Sequence, residues 1–168
     1  LEKEVPSCMW SCRIMQKLAI SMYYAHKECI VHRDLKPANI MIMNDDEPKI
    51  MDFGLAKSLD TETSSSSKGM MIGTPAYMSP EQVNADTEKI DCRSDIYGLG
   101  AVFYEMLTGT TPFHGSSTIE MALNIIGKMP TPPGKLNKLV PKEVERICLK
   151  CLEKNPKNRY QNAYALAN

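Results

Sequence analysis

Eight residues near the start of the chain, "HRDLKPAN" at positions 32–39, bring a carboxylate, an ammonium and a carboxamide close together. That trio suits transfer of a phosphoryl group to a hydroxyl. The reaction asks for little covalent chemistry from a protein. Something must orient the attacking hydroxyl, metal ligands must neutralise the phosphates, and a cation must stand near the moving group. Asp34 can accept or align the hydroxyl proton, Lys36 can sit near a γ-phosphate, and Asn39 offers Mg²⁺ a neutral oxygen. Pro37 stiffens the loop between them by fixing its own φ. A second metal ligand is expected on a neighbouring strand, and Asp52 of "DFG" fills that place, 18 residues after Asp34.

These groups need elements to hold them. Upstream, residues 11–28 carry Ile14, Met15, Leu18, Ala19, Met22 and Tyr23 at helical spacing, with Ser11 as a cap for the start. Two short β-prone runs, 40–43 and 49–51, flank the turn-like "NDDEP" and predict a small hairpin that returns Asp52 to the side of Asn39. The acidic cluster in that turn reads as solvated. The polar, Ser-rich "SLDTETSSSSKG" predicts a loop, either a plain linker or a regulated one. Residues 96–107 are apolar on nearly every face, as in a helix buried all round at the centre of a domain. Ile119, Ala122, Leu123 and Ile126 form the stripe of another helix, and Val144, Ile147, Cys148, Cys151 and Leu152 form a third. "TPPG" at 131–134 reads as the loop between those two, and a last helix is expected from near Tyr160. The fold class is therefore α+β and predominantly helical, in one domain with a small β-hairpin.

Composition narrows the alternatives. The 20 basic and 20 acidic residues cancel, so there is no electrostatic footprint for nucleic acid. The most apolar window, 96–107, is too short to span a bilayer. Cys148 and Cys151 fall on an apolar stripe without a neighbouring Cys or His cluster, so they read as small buried hydrophobes rather than metal ligands. No basic-then-apolar leader opens the sequence, and a cytoplasmic location is the expectation.

Taken singly, Asp34 would be a cap or turn residue, Lys36 a solvated charge, Met41 a core residue and His32 a packed histidine. Joint order lifts the set. After "HRDLKPAN" and "DFG" come "GTPAYMSPEQ" (73–82), "RSDIYGLGAVFYEMLTGTTPF" (93–113) and "NPKNRY" (155–160). In this order the motifs resemble the C-terminal lobe of a eukaryotic-type (Hanks-type) serine/threonine protein kinase, across nearly all 168 residues.

The resemblance implies Asp34 as catalytic base, Lys36 as phosphate-contacting lysine, and Asn39 and Asp52 as Mg²⁺ ligands beside ATP. Met41 would lie under the adenine ring. Thr74 would brace Asp34 and Lys36, and with Lys36 it favours a serine or threonine acceptor on a protein substrate. His32 and Phe53 would stack in the packed column that registers the active state, and Asp95 would bind backbone amides of the catalytic loop. Glu81, in Ser79-Pro80-Glu81, would pair with Arg159. Arg33 and Lys57 resemble a pocket for a phosphate carried by the activation segment, 52–81. Ser66 and Ser67 are the first candidates for that phosphate, then Thr61 and Thr63. Ala38 departs from the glutamate common in kinases that prefer basic peptides, which leaves the peptide preference open.

The family's Gly-rich loop, Val-Ala-Ile-Lys strand, glutamate helix and adenine hinge have no counterpart in these residues. The expectation is a partial kinase domain over 1–168, a C-lobe with the N-lobe absent. Alone it would bind ATP poorly, show no appreciable activity and associate through exposed Met41 and Phe53. The alternative is a truncated, non-catalytic binding or scaffold module. Intact Asp34, Lys36, Asn39 and Asp52 argue against it.

Overall fold

Ser11 holds the first position of the buried stripe of helix α1, which continues through Ile14, Met15, Leu18, Ala19 and Met22. The helix must therefore start a turn earlier than a cap at Ser11 would place it. In a computed structural model that describes residues 5–53, 57–58 (backbone only) and 75–168, α1 runs over Cys8–Lys27. Ser7 caps it in extended backbone, its hydroxyl accepting from Trp10 N at 3.2 Å. The Ser11 hydroxyl is buried inside the helix without a partner among the described residues.

After α1 come β1 (Ile30–Val31), β2 (Ile40–Ile42) and β3 (Pro48–Ile50). Strands β2 and β3 pair antiparallel with Ile40 opposite Ile50 and Met41 opposite Lys49, which is the expected hairpin. A further short strand, β4 (Lys57–Ser58), pairs with β1 and places Lys57 opposite Val31. As expected, the acidic turn faces solvent, with Asp45, Asp46 and Glu47 all exposed, yet it is tied to α1. Trp10 Nε1 donates to Asp46 Oδ1 (2.9 Å), while Lys17 Nζ reaches Asp46 O (3.1 Å) and Glu47 Oε1 (2.5 Å). Helix α1 thus holds the far end of the hairpin and fixes its orientation.

Helices α2 (Pro80–Val83), α3 (Cys92–Thr108), α4 (Thr118–Gly127), α5 (Pro133–Leu136), α6 (Lys142–Cys151) and α7 (Ala163–Ala167) complete the described residues. The Asp91 carboxylate caps α3 by accepting from Arg93 N (2.8 Å), and Gly109 ends it at φ +75. As expected, α3 is buried on nearly all sides. Helix α1 packs on it with α7 alongside, and α6 packs on it too. Gly100 permits the α6 approach, since a Cβ there would stand 2.5 Å from Cys151 Cβ.

Three expectations shift. On α4 the buried residues are Asn124 and Ile125, whereas Ile119 and Leu123 are 74% and 64% exposed. With apolar residues on most faces of this helix, periodicity alone selected the wrong one. The "TPPG" segment is loop only in part, because Pro133 opens α5 at a position where its missing N–H costs nothing. The last helix starts at Ala163 rather than near Tyr160, because the Asn162 side chain caps it by accepting from Ala165 N (2.8 Å).

All six cysteines are free, with Cys148 and Cys151 fully buried. No group of three or more His, Cys, Asp or Glu suited to a metal occurs among the described residues. No helix among them is long and apolar enough to cross a membrane.

Candidate active site

The site grows from the start of α3. Asp95, 2% exposed, points both carboxylate oxygens at the loop that follows β1, accepting from His32 N and Arg33 N at 2.8 Å each. Its Oδ2 also accepts from His26 Nε2 at 2.9 Å. A single buried carboxylate therefore ties α1, α3 and the loop together. This grip holds Arg33 at φ +69, a left-handed conformation that costs of order 1–3 kcal/mol unless its surroundings over-determine it. Asp52 shares that conformation at φ +57.

His32 is packed rather than poised as a base. Met51 O can only accept, so the ring proton sits on Nε2 and is donated to it at 2.9 Å. The other nitrogen, Nδ1, then accepts from Asp34 N at 3.2 Å. The ring meets Phe53 edge-on, with centroids 4.8 Å apart.

Asp34, Lys36 and Asn39 come together. Lys36 Nζ donates to Asp34 Oδ2 at 2.6 Å, and Asn39 Nδ2 donates to Asp34 O and Oδ2 at 2.8 and 3.0 Å. Both amide hydrogens of Asn39 are therefore committed, which leaves its Oδ1 as the atom for a ligand. Asn39 is buried whereas Asp52 is exposed. The hairpin brings their backbones together through Met51 N to Asn39 O at 2.8 Å. One neutral oxygen and one accessible carboxylate form a donor pair suited to a hard cation that keeps several waters. Met41 and Phe53 are 46% and 40% exposed on this side of the molecule.

Behind the loop, Glu81 and Arg159 form a bidentate pair, Nη1 to Oε1 at 2.7 Å and Nη2 to Oε2 at 2.8 Å. Ser94 Oγ adds a donor to Oε1 at 2.7 Å, and carbonyls of Glu153, Arg93 and Lys154 satisfy the rest of the guanidinium. Burial alone would raise the Glu81 pKa. The hydrogen bonds and charge of Arg159, with Ser94, outweigh it and leave the carboxyl below its ordinary value.

Arg33 Nε is buried without a partner among the described residues. The backbone of Lys57 lies beside β1, two residues ahead of Arg33. Thr74, Thr61, Thr63, Ser66 and Ser67 lie outside the described residues, as do Gly54 and the rest of 59–74.

Sequence reasoning missed three links. His26 continues the buried stripe of α1 one turn beyond Met22, a spacing that could have found it. Gln82 Nε2 donates to Arg33 O at 2.6 Å and joins α2 to the loop. Tyr77 Oη donates to Glu105 Oε2 at 2.5 Å. Nothing in the local sequence signals the last two, because each joins segments brought close only by the fold.

Comparison with known proteins gives this fold a family. Residues 7–168 match the family model described as "Protein kinase domain", and the chain belongs to that family. A probable serine/threonine-protein kinase of Clostridium acetobutylicum is 44% identical over 147 residues, covering 88% of this chain and 22% of that protein. Serine/threonine-protein kinase PknB of Mycolicibacterium smegmatis is 45% identical over 144 residues, covering 85% of this chain and 23% of that protein. The chain thus spans less than a quarter of the length of these curated relatives. A crystal structure of Rad53 1-466 in complex with AMP-PNP superposes with a TM-score of 0.79 at 28% identity, over 98% of this chain and 40% of that one.

Proposed function

We propose that this chain is the catalytic floor of a serine/threonine protein kinase, transferring the γ-phosphoryl group of ATP to a hydroxyl of a protein substrate. The observation that carries this reading is the convergence of Lys36 and Asn39 on Asp34. Both side-chain donors fall on Asp34 Oδ2 among the described residues. Its Oδ1 is left to face a substrate hydroxyl, orient it and take its proton. Lys36 stands where it can offset charge on the moving group. Asn39 Oδ1 and the Asp52 carboxylate would hold Mg²⁺, which when bound neutralises phosphate charge.

The exposure of Met41 and Phe53 supports a roof formed by the nucleotide and by a second lobe of the complete domain, with Met41 against the adenine. The relatives' names and the nucleotide analogue in the Rad53 structure favour the same reading. Arg33 Nε, without a partner among the described residues, supports a pocket for a phosphate on the activation segment, with Lys57 as its second cation. Ser66 and Ser67 remain the first candidates, ahead of Thr61 and Thr63, and Thr74 is assigned to brace Asp34 and Lys36.

The test uses the full-length protein with Mg-ATP and a generic protein substrate. Replacing Asp34 by Ala is expected to lower the rate by roughly 10²–10⁴, the range for loss of a positioned acid–base group. Phosphate mapped in the active preparation is expected within 61–67. An Asp34→Ala protein as active as the parent would refute the reading.

A further inference from the structure

The overall balance of charge conceals an uneven distribution. Residues 128–168 hold nine of the 20 basic residues but three of the 20 acidic ones, so 1–127 carry the matching excess of acid. Helix α6 gathers part of this positive charge on one face. Lys142, Arg146 and Lys150 follow one another at four-residue spacing and are exposed, while Glu145, Cys148 and Cys151 turn inwards. Lys142 pairs with Glu145 at 3.0 Å. Arg146 and Lys150 have no acidic partner at ion-pair distance among the described residues, and neither has Lys138, exposed just ahead of the helix. Lys150 instead lies 4.4 Å from the centroid of the Tyr160 ring.

Two leucines flank Lys138. Leu136 is 51% exposed and Leu139 83%. Their turn is anchored from within, because Asn137 Nδ2 donates to Leu107 O near the end of α3 at 2.8 Å, and Asn137 Oδ1 accepts from Leu139 N at 3.0 Å. The fold thus fixes the turn that presents Leu139 to water beside a cation. We propose that this face docks on a bilayer surface rich in anionic phospholipid. The cations meet headgroup phosphates, and the leucines enter the boundary between headgroups and acyl chains. An acidic protein would also satisfy the cations, but a leucine standing out from a turn needs a shaped hole in a folded partner, whereas a bilayer yields to it. Docking here leaves the candidate active site open. On α3, a Cβ at Gly98 would stand 3.1 Å from Leu35 Cβ in the catalytic loop, whereas one at Gly100 would meet Cys151 of α6. Positions two apart are about 200° apart round a helix, so the loop and α6 lie on opposite sides of α3.

The experiment sediments the full-length protein with vesicles of phosphatidylcholine alone and with vesicles that also contain phosphatidylglycerol. Affinity for the anionic vesicles is expected to be roughly 10²-fold higher, about fivefold for each of three cations, and to fall as salt rises. Reversing those charges together, with Lys138→Glu, Arg146→Glu and Lys150→Glu, should abolish the preference. Leu139→Ser should weaken binding to the anionic vesicles about tenfold and leave its salt dependence unchanged. Equal affinity for the two kinds of vesicle, or a triple variant that keeps the preference, overturns the proposal. So does equally tight binding of polyglutamate or duplex DNA that ignores Leu139→Ser, since that assigns the face to a soluble polyanion. An Asp34→Ala protein is expected to bind as the parent does, so the result stands apart from whether the chain catalyses phosphoryl transfer.

Discussion

At the scale of single residues, the site depends on buried groups that have no role alone. Asp95 is the example, since it stands three times as acceptor and joins two helices to the loop that carries Asp34. Glu81 and Arg159 do the same for the far side, where every oxygen and nitrogen of the pair has a partner. A fully satisfied buried pair is costly to break from one side, because the surviving charge keeps its desolvation penalty without its counter-charge. Replacing Glu81 by Gln is expected to destabilise the domain by about 3–5 kcal/mol. Replacing both members by apolar residues, Glu81→Leu with Arg159→Met, should cost less than the sum of the two single changes. Urea unfolding of the four proteins measures this. Single and double variants that add without a coupling term would show that the pair acts as two independent side chains.

At the scale of elements, α3 is the post on which the others hang, and its glycines show how closely they pack. A glycine inside a helix ordinarily costs up to about 1 kcal/mol relative to alanine. At Gly100 the sign is expected to reverse, because the added carbon would stand 2.5 Å from Cys151 Cβ and 3.5 Å from its Cα. The α6 backbone would have to move, so Gly100→Ala should destabilise by about 1–3 kcal/mol in thermal or denaturant unfolding. A Gly100→Ala protein as stable as the parent would show that α6 yields freely. Much of this level was legible beforehand. The stripe on α1, the continuous apolar run of α3 and the hairpin around "NDDEP" follow from spacing within one segment. The exposed face of α4 did not, because a helix apolar on most faces leaves periodicity with no preferred direction. Ser7 was overlooked as a cap because Ser11 sat nearer the first obvious apolar residue. In the site, the cluster of Asp34, Lys36 and Asn39 was legible because it is local. The links from His26, Gln82 and Tyr77 depend on tertiary neighbours that no window of sequence contains.

At the scale of the whole molecule, the hidden ionisable groups set how stability follows pH. Burial raises the thiols of Cys148 and Cys151, the latter to about 12, and raises Cys12 to about 11 with Cys8 beside it. It also raises the phenols of Tyr77, Tyr97 and Tyr104, the last to about 12. In an unfolded chain thiols ionise near 8.5 and phenols near 10. A group whose folded pKa lies above its unfolded one stabilises fully below the unfolded value. That contribution fades as pH climbs towards the folded value, because the unfolded chain releases its proton first. Lys154 runs the other way. Its folded value of about 8 lies below the ordinary 10.5, so it imposes a penalty near neutral pH that relaxes as pH rises between those values. The thiols and phenols outnumber the lysine, and their sign prevails. Glu81 governs the acid side, where its depressed carboxyl loses its contribution as pH falls below the ordinary carboxylate range. The melting temperature of the full-length protein's kinase domain is therefore expected to stay level from about pH 6 to 8 and to fall above about pH 9. A Cys148→Ala, Cys151→Ala double variant, less stable at pH 7 through lost packing, should lose less over that alkaline interval than the parent does. Calorimetry across the series decides it. A parent melting temperature that stays level to pH 10.5, or a double variant with the same alkaline slope, would remove the buried thiols from the explanation.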